Sequence, residues 1–360
     1  MLLRLEGIAM LLRLASILAL VGFMLPAEAT ADTLWDYQAV DATGHGAHPL
    51  AGAPVDPANR VTFTGVTIAG TRDLVDPDGA FAMYTVMVQD ADSDRGGIQC
   101  WAGPWSKWIW SGYGDIAAGH RVEVSGYLAD HNGKVFVNDR HSTSETVMWT
   151  VTDLGYVGMP EPQTIPSIAE CNYFDASRQG GAERWQTRWV HLRDVTVTSG
   201  VWGNGEMLTV TDSSGETLPM LLSGMGDFDA ATAPEGPFDV VAVFDQEDID
   251  DPRTGSYRLW VKEAKDIMVL GDFDGNAVLD GLDIPDFKEA LADPAAWDDA
   301  SGRYADILGD FNGDGVMNGL DIPGFKAALA QTTPSVPEPA TVVLVALGAI
   351  GIARRRRWGG

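Results

Sequence analysis

Two short acidic stretches near the end of the chain constrain its folding more than any other feature. Residues 272–283 read Asp-Phe-Asp-Gly-Asn-Ala-Val-Leu-Asp-Gly-Leu-Asp, and residues 310–321 read Asp-Phe-Asn-Gly-Asp-Gly-Val-Met-Asn-Gly-Leu-Asp. Both place oxygen-bearing side chains at positions 1, 3, 5, 9 and 12. These are Asp272, Asp274, Asn276, Asp280 and Asp283, then Asp310, Asn312, Asp314, Asn318 and Asp321. Calcium is a hard cation that takes about six to eight oxygen ligands, and a loop with this spacing supplies them together with a backbone carbonyl at position 7. Val278 and Val316 occupy that position. The sequence therefore predicts two Ca2+ sites, because ordinary solvated turns have no reason to repeat ligand spacing.

The residues that follow repeat as well. Ile284, Phe287 and Leu291 follow the first loop, and Ile322, Phe325 and Leu329 follow the second, each set on one face of a helix. Pro285 and Pro323 fall in the first turn, where a missing N–H costs little. At these residues the chain resembles the dockerin type I family, over roughly 270–331. The resemblance implies a small calcium-folded module that docks onto a cohesin-like or other envelope protein. Two departures stand out. The loops start 38 residues apart (310 − 272), with a lengthened linker around Pro294 to Tyr304, and positions 10 and 11 are Gly281-Leu282 and Gly319-Leu320.

Both ends read as targeting segments. Arg4 and Arg13, the apolar run from Leu14 to Leu25, and Ala27-Glu28-Ala29 make a signal peptide over 1–31, with Met1 or Met10 as the start. At the other end, Pro337-Glu338-Pro339 precedes an apolar stretch, Ala340 to Ala353, and then Arg354, Arg355, Arg356 and Arg357. That stretch is short for a permanent span, and the arginines would stay on the cytoplasmic side. The tail, 332–360, is similar to the PEP-CTERM sorting signals of Gram-negative bacteria. The resemblance implies an exosortase as a transient partner, membrane contact only through the tail, and release or attachment at the cell surface or in extracellular matrix.

The formal charge of −27 opposes binding to nucleic acid or anionic lipid and favours divalent cations. Two cysteines in an exported chain, Cys100 and Cys171, suggest a disulfide.

Between Asn59 and Ile267 the chain lacks long amphipathic helical patterns. Period-2 runs bounded by Gly, Asp and Asn predict strands at 60–68, 84–90, 98–101, 119–127 and 134–137. Similar runs recur at 189–198, 208–211, 238–244 and 257–261, so one domain plan is repeated. The pattern resembles OB-fold domains of secreted bacterial proteins, with a pair of β-sandwiches as the alternative. The fold expected is mainly β with a small α C-terminal module. It comprises an N-terminal loop segment (32–58), an OB-like barrel (59–145), a connector with short helices (146–187), a second OB-like barrel (188–269) and the calcium loop–helix pair (270–331). Within the connector, Ser167-Ile-Ala-Glu170 reads as a capping box.

No catalytic constellation emerges. The six histidines are scattered, and His45 and His48 read as solvated loop residues. There is no zinc spacing, phosphate loop or nucleophile elbow. Trp101, Trp105, Trp108, Trp110 and Tyr113 form a dense aromatic run after a predicted strand. They either plug a barrel end or present a ligand surface, for which a neutral glycan suits the acidic charge better than nucleic acid. The reading is a non-enzymatic, surface-sorted binding or assembly protein. Accessory work in extracellular polysaccharide degradation is one alternative, and extracellular nucleic-acid binding is another.

Overall fold

The computed structural model describes residues 32–332 apart from residues 72, 75–83, 91–95, 104–115, 141, 143 and 145. Its body is built from two seven-stranded sheets. The first contains β1 (Val61–Ala69), β2 (Tyr84–Gln89), β3 (Gly97–Ala102), β4 (His120–Gly126), β5 (Leu128–His131), β6 (Lys134–Asn138) and β7 (Thr150–Tyr156). Tyr127 alone separates β4 from β5, which act as one bent strand. The pairings β1–β2, β2–β3, β3–β6, β6–β5 and β4–β1 then close a ring. A glycine sits at the bend because a Cβ on Gly126 would lie 2.4 Å from Val137 and 2.7 Å from Trp149.

The second sheet contains β8 (Gln163–Thr164), β9 (Trp189–Ser199), β10 (Met207–Thr211), β11 (Thr217–Leu222), β12 (Phe238–Gln246), β13 (Tyr257–Val261) and β14 (Ile267–Met268). Here β9–β10–β11–β13–β12–β9 closes directly, with β11 and β13 parallel. Both rings therefore share the order 1-2-3-5-4-1, the Greek-key closure of OB-type barrels, which leaves no free edge in the ring. Alternate residues fill each interior. Val86, Val88, Ile98, Cys100, Val135 and Val137 lie inside the first barrel, and Val190, Leu192, Val210, Met220, Val240 and Leu259 inside the second.

Several details differ from the sequence reading. Strand β7 lies past residue 145 and lengthens the first sheet beside β4. Strand β11 was not signalled, because Pro219 interrupts a short run. Ser167 precedes the helix Ile168–Cys171 but makes no side-chain cap; the carboxylate of Asp212 accepts from the Ile168 N–H at 2.7 Å instead. His45 is not simply solvated, since its Nδ1 lies 3.0 Å from Asp130. The expected Cys100–Cys171 disulfide is not formed. Each thiol is buried in a different barrel core, and burial raises the pKa of both.

After the barrels come the helices Ile284–Ala292, Pro294–Ser301, Ala305–Gly309 and Ile322–Thr332. The lengthened linker is thus itself helical, and it buries Trp297. These helices do not stand alone on their own small apolar faces. Phe273, Phe287, Trp297, Leu308 and Phe325 share one buried cluster with Ile68 and Met87 of the first barrel and Trp189, Val243 and Trp260 of the second. The Trp189 indole donates to the Tyr304 hydroxyl at 2.6 Å, and the Gly271 N–H donates to the Leu308 carbonyl at 2.9 Å. Among the described residues no helix is long and apolar enough to cross a membrane.

Candidate functional site: the paired acidic loops

Each acidic loop wraps around its first and last aspartate. Asp272 Oδ1 accepts from Gly275 N and Asn276 N, and its Oδ2 accepts from Ala277 N. Asp310 repeats this with Gly313 N, Asp314 N and Gly315 N. Asp283 Oδ1 accepts from Phe273 N and Asp274 N, and its Oδ2 from Asp280 N. Asp321 accepts from Asn312 N and Asn318 N. At positions 3, 5 and 9 the Asx oxygens turn back onto amides two residues ahead: Asp274, Asn276 and Asp280 in the first loop, and Asn312, Asp314 and Asn318 in the second. Backbone N–H groups thus fix all ten oxygen-bearing side chains, and Asp283, Asp310 and Asp321 each keep at least one acceptor site for a further partner.

The equivalence extends into the helices. Phe287 and Phe325 occupy matching positions and stack with centroids 3.9 Å apart and planes 5° from parallel. Phe273 and Phe311, at matching loop positions, meet this pair edge-on.

The loops face inward to an unusual degree for acids. Asp272 is 2% exposed, and Asp283 and Asp321 are fully buried. Burial raises the pKa values of Asp272 and Asp283. Oxygens of Asp272, Asp274 and Asp283 all lie within 4.8 Å of one another. Such convergence is costly without a compensating cation, and the donor set is all oxygen, as a hard divalent ion requires.

The two loops are not identical. Buried Arg303 donates to the Asp272 carbonyl at 2.7 Å and lies 3.3 Å from its carboxylate. Among the described residues Asp310 has no ion pair. At position 6, Ala277 holds φ +67 where the second loop has Gly315 at φ +88. Sequence reasoning missed Arg303, because nothing local marks a residue that closes on a loop from 31 positions away.

Of the aromatic run, Trp101 lies on β3, half-buried, and its carbonyl accepts from the Trp149 indole at 2.9 Å. Trp105, Trp108, Trp110 and Tyr113 lie outside the described residues, as do the signal-peptide region and the tail motif.

Comparison with known proteins decides the tail. Residues 335–357 match the PEP-CTERM protein-sorting motif. The protein is exported and sorted to the cell surface, and an exosortase-type enzyme processes it. No curated protein matches the chain. Among solved structures, the Ifi202 HINa domain in complex with 20bp dsDNA is similar at 9% identity and a TM-score of 0.27, covering 56% of this chain and 93% of that one. The p202 HIN1 domain in complex with 12-mer dsDNA is similar at 11% identity and a TM-score of 0.26, covering 56% and 87%.

Proposed function

We propose that this is a non-enzymatic binding and assembly protein of the cell surface, whose C-terminal segment is a dockerin-like docking module ordered by two Ca2+ ions. The observation that carries this reading is the repeated hydrogen-bond pattern of the two loops, which turns Asp272, Asp283, Asp310 and Asp321 toward two loop centres. In the first loop Asp272, Asp274, Asn276, Asp280, Asp283 and the Val278 carbonyl would hold the ion. In the second, Asp310, Asn312, Asp314, Asn318, Asp321 and the Val316 carbonyl would do so.

Docking is supported by apolar side chains exposed at matching positions. Leu282 and Leu320 are 65% and 69% exposed, and Val278 and Val316 are about half exposed. Single exposed apolar residues are unremarkable, but two pairs repeated with the loops present a surface that can be buried against a partner. A cohesin-like or other envelope protein suits this surface. Isothermal titration of Ca2+ into EDTA-stripped, desalted protein tests the metal assignment. Two bound ions are expected, and one after Asp310→Ala; absence of binding heat would remove the module from the reading.

A further inference from the structure

We infer that the cleft between the two barrels is a binding site for a neutral sugar ring, which rests on the binding-protein reading and specifies its ligand. The cleft has a volume of about 350 Å³, within the range of small-ligand pockets. One wall is the outer surface of the first barrel, where β2, β3 and β6 lie side by side. Residues facing away from the interior along these strands are Thr85, Gln99, Trp101, Phe136 and Asn138. The ladder brings them into one patch: Thr85 pairs with Trp101, Gln99 with Phe136, and Trp101 with Asn138. Arg258 and Trp260 of β13 form the opposite wall.

Neutral polar groups converge on this cleft. Gln99 is 5% exposed and Thr85 is 3% exposed, and neither side chain makes a hydrogen bond among the described residues, although both line the cavity. The Trp260 indole N–H is also buried with no acceptor among the described residues. The buried indole N–H costs free energy unless a ligand or water completes it, and the Gln99 amide and Thr85 hydroxyl line the same space. They offer both donors and acceptors, as a polyhydroxylated ligand requires.

The charges in the cleft exclude other ligand classes. Lys134 lies 2.6 Å from Asp245 and 2.7 Å from Glu247, and Arg258 lies 2.7 Å from Asp245. Asp130 is held by Arg253 at 2.9 Å and by His45 at 3.0 Å. Each of these cations is therefore spent on an acid, Lys134 and Arg253 across the barrel interface and Arg258 within the second barrel. Among the described residues lining the cleft no free cation remains for a phosphate or uronate, and the acids are already bridged, which disfavours a cationic ligand. Flat apolar faces beside unpaired neutral polar groups match a sugar ring, whose C–H face packs on an aromatic while its hydroxyls hydrogen-bond.

The test is tryptophan-fluorescence and calorimetric titration of the full chain with maltose, cellobiose, xylobiose and chitobiose. A uronic-acid disaccharide, a single-stranded thymidine oligomer and inorganic phosphate serve as charged probes. At least one neutral disaccharide is expected to bind at about 1 mM or below. Gln99→Ala and Trp101→Ala should each weaken it by about tenfold, and the near-isosteric Thr85→Val by a smaller factor. Near-UV circular dichroism checks that the variants fold. The inference is overturned if no neutral disaccharide binds, if a charged probe binds more tightly, or if binding survives all three substitutions in folded protein. Calcium titration of the same samples reads the proposed module separately, so loss of the sugar site and loss of the docking module are distinguishable.

Discussion

The barrels and the C-terminal segment both bury carboxylates, and they compensate them in different ways. In the barrels the compensation is part of the chain. Asp245, 1% exposed, is clasped by Lys134 and Arg258, which hold its pKa low against burial. Glu183, 2% exposed, is raised to about 7 by burial and accepts from the Tyr257 hydroxyl at 2.6 Å. In the C-terminal segment, residues 271–331 carry 13 acidic and three basic side chains. Its buried aspartates are held by backbone N–H groups, with Arg303 alone beside the first loop. The two barrels can thus fold with edge-free rings and with ion pairs that the chain itself supplies, within the second barrel and between the two. The loops gather like charges around two centres, and on the present account a divalent ion from outside the chain completes them.

The largest expected effect falls where that contrast is sharpest. Replacing both Asp283 and Asp321 with Ala removes the carboxylates that tie loop ends to loop starts. The helices Ile284–Ala292 and Ile322–Thr332 should lose order even with Ca2+ present, while the barrel strands persist. Far-UV circular dichroism should show helix loss with the β signal retained; loss of both together would mean that the barrels depend on the module.

Lys134→Met probes the opposite case. Removing Lys134 leaves buried Asp245 to Arg258 alone and Glu247 without its closest cation, and should cost about 3 kcal/mol. Urea unfolding should show this loss equally in Ca2+ and in EDTA. A loss confined to EDTA would erase the distinction between the two regions.

Glu183, in the turn Ala182–Arg184 packed against the second barrel, is the buried acid whose compensation is protonation. Its folded pKa, about 7, lies above the usual value of 4.5. The stability it contributes is therefore fully present below about 4.5 and is lost as pH rises through about 7. Glu183→Gln keeps the acceptor for Tyr257 and removes the charge. It should stabilise the protein by up to about 3 kcal/mol at pH 8 and little at pH 5, read as thermal midpoints. An equal shift at both pH values would exclude the titration.

Ala277→Gly is the mildest change. Position 277 sits at φ +67, which costs an L-residue about 1–2 kcal/mol, and Gly relieves it. The first loop should bind Ca2+ several-fold more tightly, with no change at the second. Calorimetric resolution of the two sites checks this.

How much of this was legible in the sequence follows the range of the interactions. Strands β1, β2, β3, β4 and β6, and the recurring runs of the second barrel, were visible because alternation is local. The acidic loops were visible because the spacing of their oxygen-bearing residues is local too. Strand β11 was hidden by Pro219, and β5 by its continuity with β4. The Asp212 cap on Ile168, the Arg303 contact with Asp272 and the separation of Cys100 from Cys171 depend on residues brought together only by closure of the barrels. The inter-barrel cleft belongs with these. Thr85, Gln99 and Phe136 read as ordinary alternating residues until the ladder sets them side by side.

Whether a cation completes the acidic loops is what separates the C-terminal segment from the barrels. Hydrogen-exchange mass spectrometry of the full chain, in excess Ca2+ and then in EDTA, measures that directly. In Ca2+, amides in 273–292 and 311–332 should be protected. In EDTA they should exchange at least about tenfold faster, while β1, β9 and β12 stay unchanged. Identical protection of 273–292 and 311–332 in the two conditions would contradict the account.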